Sequence, residues 1–103
     1  SKGDALHKVS VDNVLYFETD GRKTMAVMKS GRYAVRSSLT QLEEMLDKDV
    51  FMRVSKSALL NLTKVISYSP GNDRTLLATL VGNATVRVSR KCAPEFKERL
   101  AEV

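Results

Sequence analysis

Residues 50–65 read Val50-Phe51-Met52-Arg53-Val54-Ser55-Lys56-Ser57-Ala58-Leu59-Leu60-Asn61-Leu62-Thr63-Lys64-Val65. The stretch opens in alternation, with Phe51 and Val54 apolar around Arg53, and closes on the apolar run Ala58-Leu59-Leu60. Between these anchors lie two cations, Arg53 and Lys56, and two hydroxyls, Ser55 and Ser57; no acid occurs from Val50 to Val65. Such a segment holds a short basic, hydroxyl-rich surface in fixed geometry. Arg and Lys pair with phosphates or base edges, and Ser hydroxyls donate to phosphate oxygens.

Outward from this stretch the chain alternates short apolar runs with turn signals. Val14-Leu15-Tyr16-Phe17 and Thr24–Met28 flank Asp20-Gly21, which predicts a hairpin of 14–18 with 24–28 and a basic tip at Arg22-Lys23. Leu6–Val11 alternates loosely and reads as a weak strand, and residues 1–5 as a frayed end. Ser30-Gly31 turns the chain into a third strand, 33–36. Ser38-Leu39-Thr40-Gln41 is a capping-box pattern. Leu39, Leu42, Met45 and Leu46 then recur at helical spacing, giving a short amphipathic helix over 39–47 that covers the core. Downstream, 65–68, 75–80 and 84–88 read as strands separated by Pro70-Gly71-Asn72-Asp73 and Gly82-Asn83. Pro94 suits the first turn of a C-terminal helix, with Phe96 and Leu100 on one face. The expectation is one all-β domain spanning 1–103, with mostly antiparallel sheets and two short helices.

Composition bounds the function. The 103 residues carry 17 Lys and Arg against 12 acids, a net charge of +5. The pI is near 9.6, which favours a polyanionic partner. No apolar run approaches the length of a transmembrane helix. No signal peptide is recognisable, and a single cysteine, Cys92, permits no internal disulfide, which suits a cytoplasmic setting. The abrupt polar start reads as a domain cut from a longer protein. Catalysis finds little support: there is one histidine, His7, no CxxC, and no glycine-rich phosphate loop. We expect no enzyme, metal or cofactor.

Three basic clusters stand out: Arg22-Lys23-Thr24 at the hairpin tip; Arg53, Ser55, Lys56, Ser57 and Lys64; and Arg87, Ser89, Arg90 and Lys91 after the last strand. Acids collect instead at 43–49 and 95–102, and this segregation is what a nucleic-acid face requires. Trp is absent, and Tyr16, Phe17, Phe51 and Phe96 sit in apolar patterns, leaving Tyr33 and Tyr68 as the aromatics open to exposure; base stacking on single strands is disfavoured. No helix is basic along one face, so loops and strand ends are the expected readers of duplex DNA. Asn61, between Leu60 and Leu62, reads first as a turn amide satisfying backbone groups, with base reading as the other option. A basic β-rich module that binds protein, or one that binds RNA, is the alternative function.

The pattern F-x-R-V-x-x-S-x-L-x-N, carried by Phe51, Arg53, Val54, Ser57, Leu59 and Asn61, resembles the signature of the LytTR DNA-binding domain of LytR/AgrA-type bacterial regulators. The F-E ending of the first hairpin strand, the S-L-x-x-L-E helix start and the late V-S-R extend the likeness to roughly residues 9–100. The chain departs from the family at Ser55, where His is usual, and near Ala58, where an aromatic is. The resemblance implies an elongated stack of antiparallel sheets whose loops enter successive major grooves and bend the DNA. It implies base contacts at Lys23 or Thr24, Lys56 and Arg90. The remaining candidates, Arg22, Arg53, Ser55, Ser57, Lys64, Arg87, Ser89 and Lys91, fall to the DNA backbone. It further implies an operator of tandem sites, self-association on DNA and an upstream regulatory domain.

Overall fold

The computed structural model describes residues 10–101. Eight strands and two helices follow in order: β1 (Val14–Asp20), β2 (Lys23–Met28), β3 (Gly31–Val35), α1 (Leu39–Met45), β4 (Phe51–Ser55), β5 (Ala58–Asn61), β6 (Val65–Pro70), β7 (Leu76–Leu80), β8 (Thr85–Val88) and α2 (Ala93–Ala101). The strands form two antiparallel sheets, ordered β3-β2-β1-β5-β4 and β6-β7-β8. The domain measures 43 × 25 × 24 Å, elongated as expected.

Period-two alternation builds the layers. In β4 and β5, Met52, Val54 and Leu60 point toward the second sheet, where Leu76, Ala78, Leu80, Val86 and Val88 meet them and Phe96 of α2 closes the core. Phe51 and Leu59 point the other way, joining Phe17, Leu39 and Leu42 under α1. The first sheet is therefore covered on both faces, which is why all four residues of β5 are buried. Burial of Leu59 and Leu60, both fully inaccessible, contributes roughly 2 kcal/mol each on area grounds.

Local signals account for the connections. Gly21 takes φ +64° in the β1–β2 turn, a conformation costly for other residues. The Ser38 hydroxyl accepts from the Gln41 amide at 3.1 Å, while Gln41 Oε1 accepts from the Ser38 amide at 2.9 Å, completing the predicted capping box. The helix ends at Met45 rather than 47, and Met45 is 69% exposed, so it leaves the apolar face assigned to it. The weak strand expected at Leu6–Val11 lies mostly outside the described residues; Val11 opens a single 3-10 turn, Val11–Asn13. Asn61 does what its neighbours predicted: it is 1% exposed, its Nδ2 donates to the Val14 carbonyl at 2.8 Å, and its Oδ1 accepts from the Thr63 amide and hydroxyl. Edge-to-face contact of Tyr68 with Phe96, centroids 5.4 Å apart, ties β6 to α2.

Candidate nucleic-acid interface

Two backbone hydrogen bonds decide where the basic clusters go. The Thr19 amide, at the end of β1, donates to the Ser57 carbonyl at 3.0 Å. This sets the Arg22-Lys23 tip beside the Lys56-Ser57 turn that joins β4 to β5. The Ser89 amide, just past β8, donates to the Val54 carbonyl at 2.8 Å. That bond sets the 87–91 segment against the other side of the same turn. Three clusters that lie far apart in the sequence thus share one end of the molecule. Ser55, Ser57, Arg87 and Ser89 line one groove there, of about 310 Å³. Lys64 is the exception. It lies in the 3-10 turn Leu62–Lys64, past the opposite end of β5.

The individual side chains differ in what they offer. Arg22, Lys23, Lys56, Ser57, Arg87, Arg90 and Lys91 are exposed. Thr24 is 8% exposed, because its position in β2 faces the sheet interior, so within the 22–24 loop Arg22 and Lys23 present the accessible groups. Ser89 also starts α2: its hydroxyl accepts from the Cys92 amide at 3.3 Å, and its carbonyl accepts from the Cys92 and Ala93 amides. Ser55 and Ser57 support each other, the Ser57 amide donating to Ser55 Oγ at 3.2 Å. Arg53 is half-buried and its donors are engaged within the protein: Nε to the Ser55 carbonyl at 2.9 Å, Nη2 to the Lys56 carbonyl at 2.7 Å, Nη1 to Glu43 Oε1 at 3.0 Å.

Charge segregation is less complete than the sequence predicts. Glu18 and Asp20 sit on β1 next to the hairpin tip, and Glu18 lines the groove shared by Ser55 and Arg87. Arg32 of β3 reaches across β2 to both acids, 2.8 Å from Glu18 and 3.2 Å from Asp20. The hydrogen bonds to Asp20 and then to Glu18 raise the already high pKa of its guanidinium, so the neutralising charge is permanent. Without Arg32, two carboxylates would face any phosphate approaching the tip.

Two further cations, not among the three clusters of the sequence, stand beside Arg90. Arg74, in the β6–β7 turn, and Lys97 of α2 line a groove of about 520 Å³ with Arg90. Arg74 and Asp73 both adopt positive φ, 66° and 55°, an arrangement fixed by the turn and not deducible from charge spacing. Lys97 stands one turn from Ala93 at the helix start, a spacing that could have placed it near Arg90. Among the described residues, no three His, Cys, Asp or Glu side chains gather into a metal site, and no helix is long and apolar enough to cross a membrane.

The comparison with known proteins agrees with this fold. The LytTr DNA-binding domain family matches residues 4–101. A sensory transduction protein LytT of Enterococcus faecalis is 27% identical over 97 residues, covering 94% of this chain and 40% of that protein. The heme-containing CO-sensing transcriptional regulator RcoM 2 of Paraburkholderia xenovorans is 30% identical over 96 residues, covering 92% of this chain and 36% of that protein. The chain thus spans about two-fifths of the length of these curated relatives. A solved LytTr DNA-binding domain from Bacillus cereus superimposes with a TM-score of 0.82 at 27% identity, over 89% of this chain and 84% of that one. The fold, the signature around Phe51–Asn61 and the family match together make this chain a member of the LytTR family of DNA-binding domains.

Proposed function

We propose that the domain reads a specific sequence in double-stranded DNA and so regulates transcription, with its loops inserted into the major groove. The observation that carries this reading is the convergence of three exposed basic loops on one end of the molecule, through the Thr19–Ser57 and Val54–Ser89 hydrogen bonds. Lys56, Arg90 and the 22–24 loop, with Lys23 foremost, contact bases. Arg22, Ser55, Ser57, Arg87, Ser89 and Lys91 contact phosphates and release counterions. Lys64, apart from the rest, touches the backbone only if the DNA bends toward it, which a tandem site read by two copies provides. An upstream regulatory domain, of the kind implied by relatives named as sensory transduction proteins, delivers the signal in the cytoplasm.

Arg90 and Lys91 supply the test, being adjacent, exposed and equally charged. Arg90 has a planar fork suited to guanine O6 and N7, whose loss costs about 1–3 kcal/mol of discrimination. Arg90→Ala is expected to relax base preference at one position of a selected site, and Lys91→Ala to weaken every duplex about equally. Sequence-blind losses from both variants would remove Arg90 from the reading group.

A further inference from the structure

Arg53 stands in the middle of the family signature and was expected to contact the DNA backbone. Its surroundings point elsewhere. Alternation along β4 sends Arg53 to the α1 side of the sheet, with Phe51, rather than outward. There its guanidinium spans three acceptors: the Ser55 carbonyl, the Lys56 carbonyl and the Glu43 carboxylate, at 2.9, 2.7 and 3.0 Å. Two of these are backbone oxygens of the β4–β5 turn. Glu43, next to Leu42 on α1, is held over the sheet by the helix that Leu39 and Leu42 anchor.

The strand itself carries a second device at the same place. Pairing of β4 with β5 jumps from Arg53↔Leu59 to Ser55↔Ala58, a bulge that leaves Val54 between them. The Val54 carbonyl is the one that takes the Ser89 amide, 2.8 Å away. Residues 53–55 therefore grip the Lys56 turn on one side and the entry to the Arg90 segment on the other. Readers on separate loops discriminate bases only if their separation is held to a fraction of an ångström.

We propose that Arg53 and Glu43 form a clamp that positions Lys56 relative to Arg90, and that neither touches DNA. The proposal rests on the DNA-reading function above. A lysine at position 53 keeps the charge but lacks the planar fork, so it cannot bridge two carbonyls and a carboxylate together. A phosphate-contacting arginine and a positioning arginine thus give opposite results for the same substitutions.

The experiment measures binding of the whole chain to its selected duplex and to a shuffled duplex, each over a range of salt, for Arg53→Lys, Arg53→Ala and Glu43→Gln. The clamp predicts that Arg53→Lys and Glu43→Gln each lose about tenfold on the selected duplex, the order of one misplaced base contact. Their salt slopes and their affinity for the shuffled duplex stay near those of the parent. The clamp is overturned if Arg53→Lys binds both duplexes like the parent while Arg53→Ala lowers the slope on each by about 0.9. It is equally overturned if Glu43→Gln tightens binding to both duplexes alike, as removing a repelling carboxylate would. Glu43 has a 45% exposed side chain, so Glu43→Gln leaves the fold intact and carries the test alone should the Arg53 variants unfold. If the parent chain itself prefers no duplex, the proposed function fails and the clamp's role in reading fails with it. If the parent has a preference and the variants keep it, the clamp alone is wrong.

Discussion

Asn61→Asp is an isosteric change at a buried polar hub, so it separates hydrogen bonding from packing. Asn61 is 1% exposed and makes three hydrogen bonds: Nδ2 to the Val14 carbonyl at 2.8 Å, and Oδ1 from the Thr63 amide at 3.0 Å and the Thr63 hydroxyl at 2.6 Å. An ionised carboxylate keeps the two Thr63 donors but sets an oxygen against the Val14 carbonyl, leaving a buried acceptor unpaired at about 1–3 kcal/mol. Burial of the charge adds several kcal/mol, which the strengthened Thr63 bonds offset in part, for a net loss of about 3 kcal/mol. A protonated carboxyl restores a donor to the Val14 oxygen, and the loss falls to about 1 kcal/mol. Burial and the facing carbonyl thus raise the folded pKa of the introduced group above its unfolded value of about 3.9. A raised folded pKa contributes stability that is complete below the unfolded value and lost as pH rises through the folded one, at about 1.36 kcal/mol per unit of separation. Urea unfolding of both proteins at about pH 4 and about pH 8 measures the difference, with the acid lability common to both cancelling. The gap between the two proteins is expected to widen toward high pH by about 2 kcal/mol. A gap that is independent of pH, or below about 0.5 kcal/mol at high pH, refutes the hub.

Other substitutions probe other parts of the account. Phe96→Ala removes a fully buried ring from the core between the sheets and its edge contact with Tyr68, at about 3–5 kcal/mol. A fall in Tm of more than about 10 °C is expected by calorimetry, and a smaller one would mean that α2 is not integral to the core. Arg32→Ala unmasks Glu18 and Asp20 beside the hairpin tip, whereas Arg36→Ala removes an equal charge with no such partners among the ion pairs of the described residues. Duplex affinity is expected to drop severalfold more for the first than for the second at low salt, and equal losses would place the tip away from DNA. Burial, reinforced by Glu18 and opposed by Arg32, holds the Tyr16 phenol above its ordinary value of 10.0. The stability this contributes is complete below about pH 10 and lost as pH rises through the raised value, so Tyr16→Phe should flatten the alkaline limb of the unfolding curve.

Much of the fold could be read from local pattern. Asp20-Gly21, Gly82-Asn83 and the Ser38–Gln41 box each enforce a backbone geometry through their own chemistry, and each turn or cap stands where those residues put it. Pairing across distance could not be read in this way. That β1 joins β5, at Phe17↔Leu59, depends on which faces remain unsatisfied after every hairpin has closed. Because β5 is covered on both sides, its run Ala58-Leu59-Leu60-Asn61 carries no alternation from which to infer a face. The candidate site was legible as charge and illegible as partnership. Lys56, Arg90 and Arg22 are exposed as their loop positions imply, but Arg53 is spent on the Ser55 and Lys56 carbonyls and on the Glu43 carboxylate, and Thr24 turns inward. Side chain-to-backbone bonds depend on turn geometry that no spacing encodes. The acids at 18 and 20 sit close to the tip in sequence; what the sequence hides is that Arg32, two strands away, neutralises them.

Specific duplex reading is the central claim, and site selection from a random pool combined with a salt titration tests it most directly. The account predicts that selection returns a short repeated motif. It also predicts that log K for that motif falls steeply with log salt, at about 0.9 per phosphate contacted, while remaining well above log K for unrelated duplex throughout. Binding that is equally steep in salt but returns no motif would contradict the account, leaving the basic end of the molecule as an electrostatic surface without a code.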